Sequence, residues 1–319
     1  MDLQASVYIA DRHGLIGSSL RDRLTQLGFK KIINDPLDSF APRDSSSVDN
    51  LFARARPEFV FLIGGASGGI GANQKRPADL MLDNLLVNCR VIENARRHGT
   101  RKLLYLASSC IYPKFVEQPM RIESLMSGGL EPTNEPYAIA KLAGLYLCRA
   151  YRQQFQAELI TAIPANVFGP GDDFSSEDSH VVAALMRRMH EAKISRQGEV
   201  VIWGSGLSRR EFVFAEDMAD ACIFLMDHYD GAEPVNVGVG ADWSIRELAE
   251  MIAEIVGFAG NLVFDRSKPD GMPAKLLDSS VLQKMGWRPR ISLKDALIRT
   301  YQWFAHEGTM RERDASAIL

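Results

Sequence analysis

The sequence predicts an α/β fold built on a doubly wound parallel sheet, with a smaller α/β lobe interleaved along the chain. In the first half, short β-rich runs alternate with longer helical patterns, which is typical of parallel strands joined by crossover helices. The runs are nearly continuous in apolar residues, as expected when helices cover both faces of a sheet. After Asn166 glycine-rich turns become frequent, and this change indicates the second lobe.

Each element is predicted from its local pattern. The predicted strands are apolar runs at residues 7–10, 31–34, 59–63, 103–107 and 159–163. Helical patterns lie between them at 15–27, 77–97 and 137–155, and Gly28 and Gly99 stand where the first two of these helices are expected to end. In the second half we expect helices at 180–191, 216–227 and 244–256, and a strand at 234–238 that returns to the sheet.

Length, charge and the start of the chain exclude several classes of protein. With 319 residues the chain has room for one large domain and a smaller one. Its 37 Lys and Arg against 40 Asp and Glu give a net charge of -3, which argues against a nucleic-acid partner. No basic segment precedes the first apolar run, and that run ends at Asp11. The sequence therefore predicts neither a signal peptide nor a membrane span and indicates a cytoplasmic protein.

The four cysteines, Cys89, Cys110, Cys148 and Cys222, lie far apart and form no CxxC pair. This spacing predicts neither a zinc site nor a disulfide framework, and no metal site is expected. Packing in an apolar environment is the default expectation for each cysteine.

A glycine-containing turn follows the first predicted strand and opens the first predicted helix. Gly14 and Gly17 have the spacing of the second and third glycines of a GxxGxxG dinucleotide fingerprint, with Asp11 at the first position. We expect the turn to bind the pyrophosphate of a dinucleotide through Asp11, Arg12, His13, Gly14, Leu15, Ile16 and Gly17. Two glycines alone leave an alternative open, namely a tight strand-to-helix turn without a ligand.

Two acidic residues bear on this prediction. A carboxylate at Asp11 about 5 Å from a phosphate would cost roughly 3 kcal/mol at an effective dielectric of about 20, unless Arg12 and His13 compensate its charge. Asp35, at the end of the second predicted strand, has the position of the acidic residue that binds a ribose 2′-hydroxyl. A short acidic residue before Pro36 is equally typical of a turn, so both interpretations stay open.

Ser108, Tyr137 and Lys141 form a constellation suited to carbonyl chemistry. Tyr137 and Lys141 stand four positions apart at the head of a predicted helix, so both side chains project from one face, and Ser108 follows a predicted strand. A nearby ammonium is expected to lower the pKa of the phenol. The pattern predicts a site that moves a hydride and a proton together, and an exposed Tyr–Lys pair on a surface helix is the alternative.

Seven runs along the chain are more specific than this constellation. They are SSCIYPK at 108–114, EPTNEPYAIAK at 131–141, NVFGP at 166–170, SHV at 179–181, WGSG at 203–206, REF at 210–212 and KPDG at 268–271. On these runs the chain resembles the GDP-L-fucose synthases, a family of extended short-chain dehydrogenases/reductases with a Rossmann-type sheet and a substrate-binding lobe. The resemblance implies conversion of GDP-4-keto-6-deoxy-D-mannose to GDP-L-fucose, by epimerisation at C3 and C5 and then NADPH-dependent reduction at C4.

The resemblance also implies roles for individual residues. Cys110 and His180 correspond to the base and the acid that invert the two carbons, while Ser108 and Tyr137 would stabilise the enolate between these steps. Core packing of Cys110 and helix capping by His180 are the structural alternatives. Contacts with the nucleotide sugar are expected from Asn166, Arg188, Trp203, Arg210 and Lys275, with the two arginines near the diphosphate, although an exposed helix arginine is the alternative for Arg188.

The change of pattern after Asn166 divides the chain into two lobes. Residues 1–166 are expected to form the dinucleotide-binding domain, to which 207–242 return. Residues 167–206 and 243–319 are expected to form the nucleotide-sugar-binding lobe. A homodimer through the helices at 78–97 and 137–155 is expected from the superfamily.

Departures from the family cluster in the cofactor-binding half. Asp11 stands where the family has glycine, GGAS at 64–67 stands where it usually has AAKV, and no clear arginine for a 2′-phosphate follows the second strand. NADP is therefore implied by the resemblance alone, and NAD stays open. Two other functions also stay open: a related epimerase or 4-ketoreductase acting on another 4-keto nucleotide sugar, and a non-catalytic homologue that binds sugar nucleotides.

Overall fold

The computed structural model describes residues 1–10, 14–33, 45–174 and 179–316. Within them, six parallel strands form the main sheet, in the order β2-β1-β3-β4-β5-β9. These strands are β1 (Ser6–Ala10), β2 (Lys31–Ile33), β3 (Phe59–Leu62), β4 (Lys102–Leu106), β5 (Leu159–Pro164) and β9 (Val235–Val237). All residues of β3, β4 and β5 are buried, as predicted for strands covered on both faces.

Helices cover the two faces of this sheet. They are α1 (Leu15–Gln26), α2 (Ser45–Ala55), α3 (Ile70–Lys75), α4 (Pro77–Arg97), α5 (Glu135–Phe155) and α7 (Ala215–His228). α4 packs against α5, and α1 packs against α7. The predicted doubly wound α/β fold is thus confirmed, and α4 begins at Pro77 because proline fits the first turn of a helix.

The order of the strands places a crevice at one edge of the sheet. From β1 the chain moves outward to β2 and then crosses to β3 on the other side of β1. At such a switch point the loops after neighbouring strands diverge, which leaves an opening beyond their carboxyl ends. Ligands of doubly wound sheets bind in this opening, so the loops after β1, β3 and β4 are expected to face the site.

A second lobe has its own sheets and its own apolar core. β8 (Arg209–Phe214) lies between β10 (Asp242–Ser244) and β12 (Ala274–Lys275) and also pairs with β6 (Asn166–Phe168), while β7 (Glu199–Trp203) pairs with β11 (Asn261–Asp265). The remaining helices of the described chain are α6 (Val181–Ile194), α8 (Ile245–Val256), α9 (Ser280–Lys284) and α10 (Leu293–Ser316). Phe168, Met186, Phe214 and Ile252 belong to the core of this lobe.

The chain passes between the two lobes more than once. α7 and β9 lie with the main sheet, whereas β8, which precedes them, lies in the second lobe. The expected domain limits remain a prediction. Within residues 1–10, 14–33, 45–174 and 179–316, none of the helices combines the length and the apolar character that a membrane span needs.

Glu211 connects the segments that meet between the lobes. This residue of β8 is buried, and its carboxylate accepts hydrogen bonds from the backbone N–H groups of Val239 (2.7 Å), Gly240 (2.8 Å) and Leu277 (2.9 Å). Burial raises the pKa of Glu211, and the three N–H groups oppose that rise. One carboxylate therefore fixes the end of β9 and the segment after β12 against β8.

We predict that Glu211→Gln lowers the free energy of unfolding by about 2–4 kcal/mol, because the amide group brings N–H donors against backbone N–H donors. Urea denaturation followed by circular dichroism measures the change. Glu254→Gln is the control, because Glu254 forms an exposed pair with Lys294 and should leave the free energy of unfolding nearly unchanged. Equal stability of the two variants would contradict the structural role of Glu211.

Candidate active site

A cleft of about 850 Å³ lies beyond the carboxyl ends of the main strands and extends to the second lobe. All five predicted catalytic residues line it: Ser108, Cys110, Tyr137, Lys141 and His180. All five residues predicted to contact the nucleotide sugar line it as well: Asn166, Arg188, Trp203, Arg210 and Lys275. The fold therefore brings together side chains that are spread over more than half of the sequence.

Ser108 and Cys110 are placed by the turn that follows β4. Ser108 has extended backbone and caps a short 3₁₀ turn, where its Oγ accepts a hydrogen bond from the Cys110 N–H at 3.3 Å. Cys110 is partly exposed, whereas Cys148 and Cys222 are buried and Cys89 is exposed. Apolar core packing, the default expectation for all four cysteines, thus describes Cys148 and Cys222 and is wrong for Cys89.

The sulfur of Cys110 is surrounded by hydrogen-bond donors. Asn134 Nδ2 lies 3.1 Å from Sγ, and Lys275 Nζ lies 3.3 Å from it. Burial raises the pKa of the Cys110 thiol, but the Lys275 ammonium and the hydrogen bonds from Ser108 and Asn134 outweigh this effect and lower it overall. The site favours a thiolate, which is the nucleophilic and basic form of cysteine.

Tyr137 and Lys141 stand one turn apart near the start of α5. The Lys141 ammonium is buried and donates to the backbone oxygens of Gly64 (3.4 Å) and Leu106 (3.3 Å), and it lies 6.0 Å from the centroid of the Tyr137 ring. Burial, together with the charge of Cys110, raises the pKa of Tyr137 well above its usual value. The pKa of Tyr137 was predicted to be lowered and is instead raised, which favours the protonated phenol.

A buried polar contact that was not predicted from the sequence holds α5 in place behind the site. Tyr105 Oη donates to the backbone oxygen of Lys141 at 3.0 Å, and Asn88 Nδ2 lies 3.2 Å from Tyr105 Oη and 3.2 Å from the oxygen of Ala140. Gly144 makes room for this contact, because a Cβ there would lie 2.5 Å from Tyr105 Oη. A glycine in the middle of a helix was the available signal.

His180 lies just before α6 at the edge of the cleft. Its backbone caps the helix, but its side chain makes no capping hydrogen bond, and the side chain is 48% exposed. Its Nδ1 lies 4.0 Å from a carboxylate oxygen of Asp172, a residue that the sequence analysis did not single out. Burial raises the pKa of Asp172 to about 6, and His180 opposes this rise.

Arg188 and Arg210, the two predicted diphosphate ligands, are both hydrogen-bonded to backbone oxygens at the cleft. Arg188 Nη1 donates to the backbone oxygen of Val201 at 2.7 Å, and Arg210 Nη2 donates to that of Asp270 at 3.1 Å. Burial lowers the pKa of both guanidinium groups, since the cleft removes them from water. Neither arginine is an ordinary surface residue, and partly desolvated guanidinium groups are suited to binding phosphate oxygens.

The cofactor end of the cleft is formed by the start of α1 and by the loop after β3. Gly14, Leu15 and Ile16 line the cleft, whereas Gly17 is buried within α1. The other residues predicted for this end, Asp11, Arg12, His13 and Asp35, lie outside the described residues. The cleft thus runs from the N-terminus of α1 to Tyr137 and Lys141, which fits a dinucleotide with its pyrophosphate at the helix start.

The position of Gly65 requires glycine, which accounts for part of the GGAS run at 64–67 that departs from the family pattern. Its φ is +133°, and a Cβ there would lie 2.0 Å from Oδ1 of the buried Asn84. Asn84 Nδ2 donates to the backbone oxygen of Ala66 at 2.7 Å and so holds the loop against α4. Among the described residues, no group of three or more His, Cys, Asp or Glu side chains is placed to hold a metal ion.

Comparison with known proteins agrees with this geometry. The chain is 47% identical over 306 residues to a GDP-L-fucose synthase of Arabidopsis thaliana, covering 95% of this chain and 94% of the relative. A GDP-6-OMe-4-keto-L-xylo-heptose reductase from C. jejuni has a similar structure, with a TM-score of 0.91, 31% identity and coverage of 96% and 99% of the two chains. A GDP-L-fucose synthetase from Naegleria fowleri bound to NADP gives a TM-score of 0.89 at 26% identity, covering 97% and 95%.

The match to a family covers most of the main sheet and its helices. Residues 7–238 match the NAD dependent epimerase/dehydratase family, which is well over half of the chain. From its fold, its site and this match, the chain belongs to the NAD dependent epimerase/dehydratase family.

Proposed function

We propose that this chain converts GDP-4-keto-6-deoxy-D-mannose to GDP-L-fucose, by epimerisation at C3 and C5 and then reduction at C4 with NADPH. The observation that carries the proposal is the Cys110 thiol, held next to Ser108 and electrostatically coupled to Tyr137 in a cleft that His180 also lines. A reductase needs only a proton donor at the carbonyl. A basic cysteine beside it adds the means to remove protons from neighbouring carbons.

Epimerisation uses the acidity that a C4 ketone gives to hydrogens on C3 and C5. In the proposed step, the Cys110 thiolate removes the proton from carbon, and the electron pair moves to the carbonyl oxygen as an enolate. Ser108 and Tyr137 donate hydrogen bonds to that oxygen. His180 returns a proton to the opposite face of the carbon, which inverts it.

Reduction at C4 uses the same oxygen. NADPH, when bound, supplies the hydride. The Tyr137 phenol gives its proton to the alkoxide oxygen, and its raised pKa is consistent with a group that holds this proton until the alkoxide forms. Lys141, held by backbone oxygens from two strand ends, keeps a positive charge close to this oxygen.

Binding of the two ligands is divided between the ends of the cleft. We assign the cofactor to Gly14, Leu15 and Ile16 together with the predicted Asp11, Arg12, His13, Gly17 and Asp35, and to Tyr137 and Lys141. We assign the GDP-sugar to Asn166, Arg188, Trp203 and Arg210, while Lys275 lines the same part of the cleft with its ammonium against Cys110 Sγ. NADPH rather than NADH remains a proposal, supported by the NADP bound to the similar Naegleria fowleri structure.

One further function has specific support. The similar C. jejuni protein is named a reductase of a 4-keto heptose, so reduction of another GDP-4-keto sugar is the second candidate. A panel of 4-keto nucleotide sugars assayed with NADPH and NADH decides between them. Formation of GDP-L-fucose supports our proposal, reduction of a different sugar supports the second candidate, and no turnover of any sugar supports a non-catalytic homologue.

Two properties of the whole protein are also proposed. Leu82, Ile139 and Tyr146 leave apolar surface exposed on α4 and α5, which supports a homodimer through these helices. Sedimentation velocity tests the homodimer. A cytoplasmic location stays a prediction.

Replacing Cys110 with serine should abolish epimerisation, because a hydroxyl of much higher pKa cannot act as the base. Slow reduction of the unepimerised ketone should persist, since Ser108 and Tyr137 are unchanged. Exchange of solvent deuterium into C3 and C5 measures the step directly. Cys89→Ser, at the exposed cysteine, is the control and should exchange normally. Full exchange in Cys110→Ser would show that another residue is the base.

Tyr137→Phe should reduce the rate of C4 reduction by about 10²–10⁴-fold, because the ring still packs but the proton for the alkoxide is gone. The nucleotide sugar should still bind, as measured by calorimetry. Tyr146→Phe is a matched control on the same helix, where the tyrosine is 41% exposed. Turnover by Tyr137→Phe within about threefold of the parent would refute the assigned role.

Asp11→Gly should strengthen the binding of NADPH and NADH alike by about 5- to 100-fold, because it removes a negative charge near the shared pyrophosphate. The gain should shrink as salt rises if the carboxylate is exposed. Calorimetry at two salt concentrations measures both effects. Unchanged or weaker binding would mean that Arg12 neutralises Asp11 or that Asp11 caps the helix.

A further inference from the structure

Lys275 provides a buried positive charge in direct contact with the sulfur of Cys110. The residue belongs to β12, pairs in register with Arg210 of β8, and is 8% exposed. Its Nζ lies 3.3 Å from Cys110 Sγ. Resemblance to the family placed Lys275 among the nucleotide-sugar contacts, whereas the structure directs its ammonium to the proposed base.

A buried ammonium needs a compensating partner. Next to a neutral thiol its charge would remain largely uncompensated, and the cost of desolvation would not be recovered. Next to a thiolate the two charges stabilise each other. The close contact between Lys275 and Cys110 therefore favours the ionised pair.

A second donor points at the same sulfur. Asn134, the residue that precedes α5, places its Nδ2 3.1 Å from Cys110 Sγ. An amide N–H and an ammonium both donate, so the sulfur accepts from two directions. A thiolate is a much better acceptor than a thiol, and the convergence of two donors fits the ionised sulfur.

We propose that Lys275 is a positioning residue that holds Cys110 as a thiolate through direct contact of Nζ with Sγ, with Asn134 as the second donor. The assignment rests on the proposed function only in that Cys110 acts there as the base. The second lobe then has a specific role, because β12 places the Lys275 ammonium against Cys110, a side chain of the first lobe.

The segment that carries Lys275 is held firmly enough for this task. The backbone N–H of Leu276 donates to Gln118 Oε1 at 2.8 Å, and the oxygen of Leu276 accepts from Met120 N–H at 2.7 Å. The N–H of Leu277 donates to the Glu211 carboxylate. These bonds fix the backbone on the C-terminal side of Lys275 to the segment after β4 and to β8, so the fold sets the distance between the ammonium and the sulfur.

Other ionisable groups also face Cys110. Arg210 from β8 and Tyr137 from α5 interact with it electrostatically, and Glu131, which pairs with Lys114, acts on Arg210. The Arg210 guanidinium donates to the backbone oxygens of Arg209 and Asp270. Lys275 is the cation in hydrogen-bonding contact with the sulfur, so its removal should have the larger effect.

The test measures the ionisation of Cys110 without any substrate. In a Cys89→Ser background, which removes the exposed cysteine, the rate of alkylation of Cys110 by iodoacetamide is followed from about pH 5 to 10 by mass spectrometry of the Cys110 peptide. The midpoint of the rate profile reports the pKa of the thiol. Parent, Lys275→Met, Lys275→Arg and Lys294→Met are compared, and circular dichroism verifies that each is folded.

We expect Lys275→Met to raise the midpoint by at least about one pH unit, so that alkylation below the midpoint slows about tenfold. Lys275→Arg should keep most of the parent behaviour, because it retains a cation. Lys294→Met removes a lysine that pairs with Glu254 away from the cleft and should not shift the profile. Lys275→Gln, also uncharged, replaces Lys275→Met if the latter does not fold.

An unshifted midpoint in the folded, uncharged variant would overturn the proposal. A drop in affinity for the nucleotide sugar without such a shift would instead make Lys275 a substrate contact, which overturns it equally. Because alkylation requires no substrate, a shift in a protein that turns over no GDP-4-keto sugar would refute the proposed function and leave this inference standing. Turnover without a shift would refute this inference alone.

Discussion

Parallel pairing of the main strands is the constraint on which the site depends. Because all six strands point the same way, their following loops meet at one edge, and the switch of direction at β1 opens a crevice there. Ser108 and Cys110 follow β4, and Asn166 comes shortly after β5 at the same edge. The helix that carries Tyr137 and Lys141 begins above this edge, so a proton donor, a thiol and two ammonium groups converge there.

Electrostatics then give these neighbouring groups opposite properties. Cys110 and Tyr137 are both partly buried, and loss of contact with water raises the pKa of each group. Direct donors to the sulfur reverse this effect for Cys110, whereas the charge of Cys110 reinforces it for Tyr137. The pKa values of two neighbouring groups are thereby shifted in opposite directions, which suits the proton removal and proton delivery of the proposed reaction.

The second lobe contributes more than a wall of the cleft. It supplies Arg188 from α6, Arg210 from β8 and Lys275 from β12, and Glu211 fixes β8 and the segment after β12 to the end of β9. A buried carboxylate with three N–H donors resists displacement, because any movement would leave a charge without partners. Glu211 therefore holds the strands that carry Arg210 and Lys275 in place beside the cleft.

Local patterns determined the main features of this protein. Apolar runs and helical periodicity were sufficient to predict the doubly wound sheet, and the helix predicted at 77–97 is α4 with the same limits. Spacing predicted that Tyr137 and Lys141 share a face near Ser108. β6, β8 and β12 were missed, because they lack the continuous apolar runs of the main strands and their partners are distant in sequence.

Only the tertiary structure decided the chemical state of the site. The contact between Lys275 and Cys110 joins residues 165 positions apart, and no local pattern encodes such a pair. The direction of the Tyr137 pKa shift was predicted wrongly, because it depends on burial and on a neighbouring charge rather than on the spacing to Lys141. Sequence periodicity determines which residues face the cleft, whereas desolvation and charge contacts, which exist only in the folded chain, determine what those residues do.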